Sequence, residues 1–408
     1  MNDKTEAKRV LILSASIGTG HVRAGDAIKE ALTAIEPEVR VRHEDALEFA
    51  NPPFRKLWKK SYSDLVNNAP ELLGLLYDHA ERVWPKDDHG LAIERWNSGS
   101  LIKLATSYQP DVVVCTHPMP ADMISWLLCK NRIAAQHAIV LTDFDSNPMW
   151  LCQHYSHYFV ALDETLEHLC HIGYDRERIT VSGIPVDPLF AQKKDKQTML
   201  KKHGLAPDRD TLLLSAGGLG MGPVEPILSS LMQLKSEVQI VAVCGQNQEL
   251  KARLESLAKK HFAESNTVVK ILGFSKEMDE LMTAADLIVG KPGGLTLSEA
   301  MVKGLPFVIV NPVPGQEERN SDHLLEAGAA IRCNTVGALG FKIDSLLQDR
   351  ARLQYMKQNA LNFAHPDAAN IIVHKVRALS ELKTKSAVHP INHKCENIFG
   401  LPKLTNRN

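Results

Sequence analysis

Three stretches of the chain set glycines between a β-branched run and a helical one, and each could hold an anion. They are SIGTGHVRAGDAI after VLILSA, SAGGLGMGPVEPIL after TLLL, and GKPGGLTLSEAM after DLIV. Glycine lets the backbone bend sharply and lets a ligand approach the main chain, while the following helix aims free N–H groups at it. One such turn is common in α/β proteins; three across one chain favour a phosphorylated ligand. None continues as G-K-[ST], which argues against a P-loop and ATP hydrolysis. In the third turn, Glu299 falls about one and a half turns into the helix beginning near Gly293. From there a carboxylate can accept two hydrogen bonds from vicinal ribose hydroxyls while a diphosphate rests at the helix start. The spacing alone is equally compatible with a solvated helical glutamate.

Other groups carry weaker chemistry. DFD at Asp143–Asp145 mimics a metal-binding D-x-D pair, but it lies outside the half that would hold a diphosphate, so no metal site is expected. The 17 histidines form no zinc-type cluster; His154 and His157 read as surface or packing residues. The seven cysteines are scattered without a C-x-x-C pair, which supports neither a disulfide framework nor a thiolate metal site. From Pro53 to Tyr62, PFRKLWKKSY would place Phe54, Leu57, Trp58 and Tyr62 on one helical side, flanked by Arg55, Lys56, Lys59 and Lys60. Such a face can lie in an anionic bilayer interface, or it can be a core stripe with a basic edge.

The elements that must position these groups follow from periodicity. VLIL, VVVC, AIVLT, TLLL, QIVAV, DLIVG and FVIV alternate with amphipathic stretches such as Ile28, Ala31, Leu32 and Ile35. Continuous apolar strands alternating with helices imply parallel sheets covered on both faces, a doubly wound α/β architecture. The alternation restarts after GIPVDPLF (Gly183 to Phe190), so two Rossmann-like domains facing a cleft are expected: residues 1–188 and 189–365. A helix over 366–384 should pack back toward the first domain, and 385–408 should be a tail. The 408 residues carry a net charge of −1, which argues against a nucleic-acid partner. No signal peptide or membrane span is read, which points to a cytosolic protein.

Taken together, SIGTGH, VLTDF, SGIPVDP, GGLGMGPVE, VCGQN, KPGGLTLSEA and NPVPGQEERN resemble the family-28 glycosyltransferases of the GT-B fold. The similarity is greatest to monogalactosyldiacylglycerol synthases and bacterial processive diacylglycerol glucosyltransferases, and it runs from about Val10 to Leu379. The resemblance implies a UDP-sugar donor in the second domain. Uracil would lie near Gly273, Phe274 and Ser275, the diphosphate at Gly293 and Gly294, and the ribose at Glu299. Gln316 and Glu317 would hold the sugar, with Gly217, Gly218 and Gly220 beneath the phosphates. His21 would face the reaction centre, His117 and Asp143 would line the acceptor side, and the segment around Trp58 would dock on the membrane. The protein would then be peripheral on the inner face of the cell membrane, with diacylglycerol and an anionic surface as partners and no tightly bound cofactor.

The implied chemistry moves a hexose to the sn-3 hydroxyl of diacylglycerol, with His21 as base and inversion to a β-glycoside. Two departures stand out: Ser16 replaces an aspartate of the plant enzymes, and Asn147 replaces a usual histidine. The donor stays open among UDP-glucose, UDP-galactose and UDP-glucuronic acid. Two alternatives compete: N-acetylglucosamine transfer to a polyprenyl-linked acceptor, and a non-catalytic UDP-sugar sensor. The presence of His21 together with Glu299, Gln316 and Glu317 speaks against a sensor, which would not need the base.

Overall fold

A computed structural model describes residues 7–51, 99–261 and 267–382. The basic-aromatic segment, with Phe54, Arg55, Lys56, Trp58, Lys59 and Lys60, and the tail beyond 382 lie outside the described residues.

The first half runs β1 (Arg9–Ser14), α1 (Gly20–Ile35), β2 (Arg40–Asp45), α2 (Gly99–Tyr108), β3 (Val112–Cys115), α3 (Pro118–Cys129), β4 (Gln136–Val140), β5 (His157–Val160), α4 (Asp163–His171) and β6 (Ile179–Val181). The second runs α5 (Lys196–Lys202), β7 (Asp210–Ser215), α6 (Val224–Leu231), β8 (Val238–Val243), α7 (Gln248–His261), β9 (Val268–Leu272), α8 (Met278–Ala284), β10 (Leu287–Gly290), α9 (Gly294–Val302), β11 (Phe307–Val310), α10 (Gln316–Glu326) and β12 (Ala330–Cys333). Three helices follow: α11 (Leu339–Gln348), α12 (Arg350–Phe363) and α13 (Ala368–Glu381).

The strands form two six-stranded sheets, ordered β2-β1-β3-β4-β5-β6 and β12-β11-β10-β7-β8-β9, with every described pairing parallel. Central strands such as Val112–Cys115 and Phe307–Val310 are buried along their whole length, which explains their unbroken apolar sequences. Edge strand β2, RVRHED, stays partly exposed, and its charges discourage pairing with another chain. In each sheet the strand order reverses beside the first strand, between β1 and β3 and between β7 and β10. Ligands of open α/β sheets bind at the carboxyl ends of such switch points. All three glycine-rich turns leave from those ends.

Among the described residues the chain crosses between the sheets twice. After β6 it passes through Gly183, whose φ is +79° and against which the His365 side chain packs so closely that a Cβ would overlap it. Beyond His365, α13 lays Ala369, Ile372, Val373, Val376 and Leu379 on Ile28, Leu32, Val112, Val140 and Phe159 of the first half. The Arg377–Glu36 ion pair adds a polar tie there. Among the described residues no helix is long and apolar enough to cross a membrane.

Candidate active site

A cleft of about 740 Å³ opens where the carboxyl ends of the two sheets meet, within the usual range for small-molecule sites. His21, Asp143, Gly217, Gly218, Phe274, Ser275, Gly293, Gly294, Glu299, Gln316 and Glu317 all line it. His117 stands behind His21, the two rings edge to face with centroids 4.6 Å apart, and Gly220 does not line the cleft: its backbone packs against Cys244 and Asn247.

His21 is the second residue of α1. Its Nδ1 lies 2.9 Å from the Thr116 carbonyl oxygen and 2.7 Å from Thr142 Oγ1. A carbonyl can only accept, so Nδ1 carries the proton and the neutral ring keeps its lone pair on Nε2. Burial pushes the pKa of His21 down to about 4, opposed by the bond to Thr116. His117 is held well below the usual range by burial and then by His21; its Nδ1 accepts from Met119 N at 3.1 Å, capping α3. Both imidazoles are therefore neutral at pH 7.

Beneath α1, Ser14 Oγ lies 2.7 Å from His43 Nε2, and His43 Nδ1 lies 2.8 Å from Asp26 Oδ1. This serine–histidine–aspartate chain is not a hydrolytic triad, because Ser14 is fully buried. Ser14 Oγ instead meets Thr116 Oγ1 at 2.8 Å, which in turn donates to the His21 carbonyl. The chain braces the turn that carries His21.

The second half presents carboxylates. Glu299 is 1% exposed, and burial pushes it up to about 7, opposed by Arg23. It is thus not a solvated helical residue. Arg23 reaches across the cleft to bind it, with Nη2–Oε1 at 2.5 Å and Nη1–Oε2 at 3.4 Å. Glu317 Oε2 accepts from Val313 N at 2.7 Å and so shapes the PVPG loop, while burial raises its pKa. Ser275 Oγ accepts from Glu277 N at 3.1 Å, and the ring of Phe274, 53% exposed, faces the cleft mouth. Lys291 lines the cleft at the turn before α9 and packs toward Gly222.

The two halves touch closely, and this gives two glycines a second purpose. A Cβ at 294 would overlap the Thr142 carbonyl, and one at 218 would overlap the Thr19 side chain. Only glycine lets these turns meet across the cleft. Deeper in, Asn320 accepts from Phe144 N at 3.0 Å and donates to Asp143 Oδ1 at 3.2 Å. His323 Nε2 lies 3.1 Å from Asp145 Oδ1. DFD therefore pins α10 to the first half. Asp143 Oδ2 is buried without a hydrogen-bond partner, and burial pushes that carboxyl up to about 7 against the Asn320 bond. Elsewhere His203, Glu277 and Glu280 lie close enough to share a metal ion. Lys202 already binds both carboxylates, at 2.9 and 2.6 Å, and supplies the cation.

Sequence reasoning missed Arg23, Thr142 and Asn320. Asn320 follows Gln316 by four residues, so helical spacing could have placed it on the same face. Nothing local marks Arg23, whose partner is 276 residues away.

Solved structures with this architecture include MurG of Acinetobacter baumannii, 17% identical with a TM-score of 0.55 over 91% of this chain and 99% of that one. Anabaena HepE, solved with UDP and glucose, gives 16% and 0.54 over 91% and 100%. The fold is that of the GT-B glycosyltransferases. Residues 21–186 match the family model for monogalactosyldiacylglycerol (MGDG) synthase, and residues 195–363 that for glycosyl transferases group 1. The processive diacylglycerol beta-glucosyltransferase of Bacillus subtilis (strain 168) is 30% identical over 92% of this chain and 97% of its own. That of Bacillus cereus (strain B4264) is 31% identical over 91% and 93%. The chain belongs to this family of diacylglycerol glycosyltransferases.

Proposed function

We propose that the protein transfers a hexose from a UDP-sugar to the sn-3 hydroxyl of diacylglycerol, giving a β-glycosyldiacylglycerol. The observation that carries the reading is His21: a neutral imidazole with its proton fixed on Nδ1, in a cleft shared with the α9 N-terminus and Glu299. Nε2 takes the hydroxyl proton as the oxygen attacks the anomeric carbon, and UDP leaves from the opposite face. Because burial makes Nε2 a weak base, the proton moves late, once bond formation has acidified the hydroxyl. The backbone N–H groups of the first turn of α9, from Gly294 onward, stabilise the departing diphosphate through the helix dipole, while the Gly293 N–H donates to the Lys291 carbonyl at 3.0 Å. Glu299 holds the ribose, Gln316 and Glu317 the hexose, Phe274 and Ser275 the uracil side, with Gly217 and Gly218 flooring the cleft. His117 and Asp143 bound the acceptor side.

Glucose is the preferred hexose, supported by the names of the full-length relatives. Diacylglycerol resides in bilayers, so the protein works as a peripheral enzyme on an anionic, cytoplasmic-facing surface, with the segment around Trp58 as its docking face. Release of UDP should be measured with anionic vesicles holding diacylglycerol, a polyprenyl-linked acceptor or neither, for UDP-glucose, UDP-galactose, UDP-glucuronic acid and UDP-N-acetylglucosamine. Diacylglycerol-dependent release is expected with UDP-glucose above the others. Release only with UDP-N-acetylglucosamine and a polyprenyl-linked acceptor, or UDP binding without release, would overturn the reading.

A further inference from the structure

The ion pair between Arg23 and Glu299 sets two demands on one carboxylate. The guanidinium engages both oxygens of a side chain that is 2% exposed, and the ribose proposed above needs those same oxygens. Arg23 is itself 37% exposed, so it is free to leave. Its guanidinium rests 5.9 Å from the Phe190 ring centroid, a support that holds the stem without fixing the head.

Its surroundings decide where it can go. Asp26, Glu30 and Asp187 line the same part of the cleft, so the guanidinium sits in an acidic neighbourhood. Along α9, Glu299 lies five residues from Gly294, or roughly 7 Å at the helical rise, which is within the sweep of an arginine side chain. At that end of the helix a diphosphate would offer two negative groups and a geometry that matches the guanidinium fork.

We propose that Arg23 is a further donor-site residue, supplied by the opposite half of the cleft. The ribose hydroxyls take over the Glu299 carboxylate, and the displaced guanidinium moves to the diphosphate, where it offsets the charge of the leaving UDP. The exchange ties recognition of the nucleoside to stabilisation of the leaving group. It also brings a cation to the reaction from the half that carries His21. This inference rests on the UDP-sugar reading of the cleft.

Calorimetric titration of the wild type, Arg23→Gln and Arg23→Lys with UDP and with uridine tests it. Arg23→Gln should weaken UDP at least about tenfold, the loss of one charge-assisted contact, while uridine binds as well as before or better. Arg23→Lys should recover part of the UDP affinity. If UDP and uridine both tighten in Arg23→Gln, Arg23 is only a competitor for Glu299; if neither changes, the pair is a surface tie. Either result overturns the inference. Wild type that binds UDP without forming glycolipid would defeat the functional reading while leaving the Arg23 assignment standing. Wild type that binds no UDP would defeat both.

Discussion

The two halves of the molecule share a parallel six-stranded architecture but bury opposite chemistry. The first half encloses imidazoles: burial pushes His21 and His137 down to about 4 and His157 to about 3. The second half encloses carboxylates, with Glu299 raised to about 7 and Glu317 also raised. A neutral imidazole offers a lone pair to a proton; a buried carboxylate offers acceptors to hydroxyls. On the proposed reading, one architecture used twice divides proton handling from sugar and nucleoside recognition, and the cleft is where the two must meet. Two residues cross this division: Asp143, a buried carboxyl in the histidine-bearing half that the second half answers with Asn320, and His203, an imidazole buried in the second half.

This division can be broken from either side. His21→Ala should cut glycosyl transfer by about 10²–10⁴-fold and leave UDP affinity unchanged, read by initial rates and calorimetry on the same preparation. Glu299→Ala should do the reverse, weakening UDP by about 10–100-fold through two lost charge-assisted bonds, with most of kcat retained at saturating donor.

The pH dependence of stability should carry the same contrast. His137 has a folded pKa of about 4, below its unfolded value of 6.5, so its contribution is full above pH 6.5 and fades as pH falls through 4. His137→Asn should therefore lose less stability than wild type between pH 7 and 5, by about 2 kcal/mol. Glu299 has a folded pKa of about 7, above 4.5, so its contribution is present at low pH and is lost as pH rises through 7. Glu299→Gln should thus gain on the wild type with rising pH. Denaturant melts across pH 5–8 would show the two opposite slopes. The smallest effect belongs to the pin between the halves: Asn320→Ala should cost about 1 kcal/mol of stability, read from the same melts at neutral pH.

Much of this was legible in the sequence, for identifiable reasons. Runs such as VVVC and FVIV are buried on both faces, so their continuous apolar character announced parallel strands. The glycine turns were legible as turns, because φ > 0 and close approach leave few other residues. What could not be read was the cause of each glycine. Gly218 and Gly294 make room for the opposite half, and that depends on contacts between distant segments. Arg23 stayed hidden for the same reason, while Glu299 showed its position but not its partner. DFD looked like a metal motif because two aspartates at that spacing serve a cross-cleft pin as readily as an ion.

The stereochemistry of the lipid product tests the mechanism most directly. Protein incubated with UDP-glucose and diacylglycerol vesicles should yield a glycolipid whose anomeric proton can be assigned by NMR. A single displacement assisted by His21 Nε2 predicts a β-linked glucosyldiacylglycerol from the α-linked donor. An α-linked product would contradict it, since one attack from the face opposite UDP cannot retain configuration.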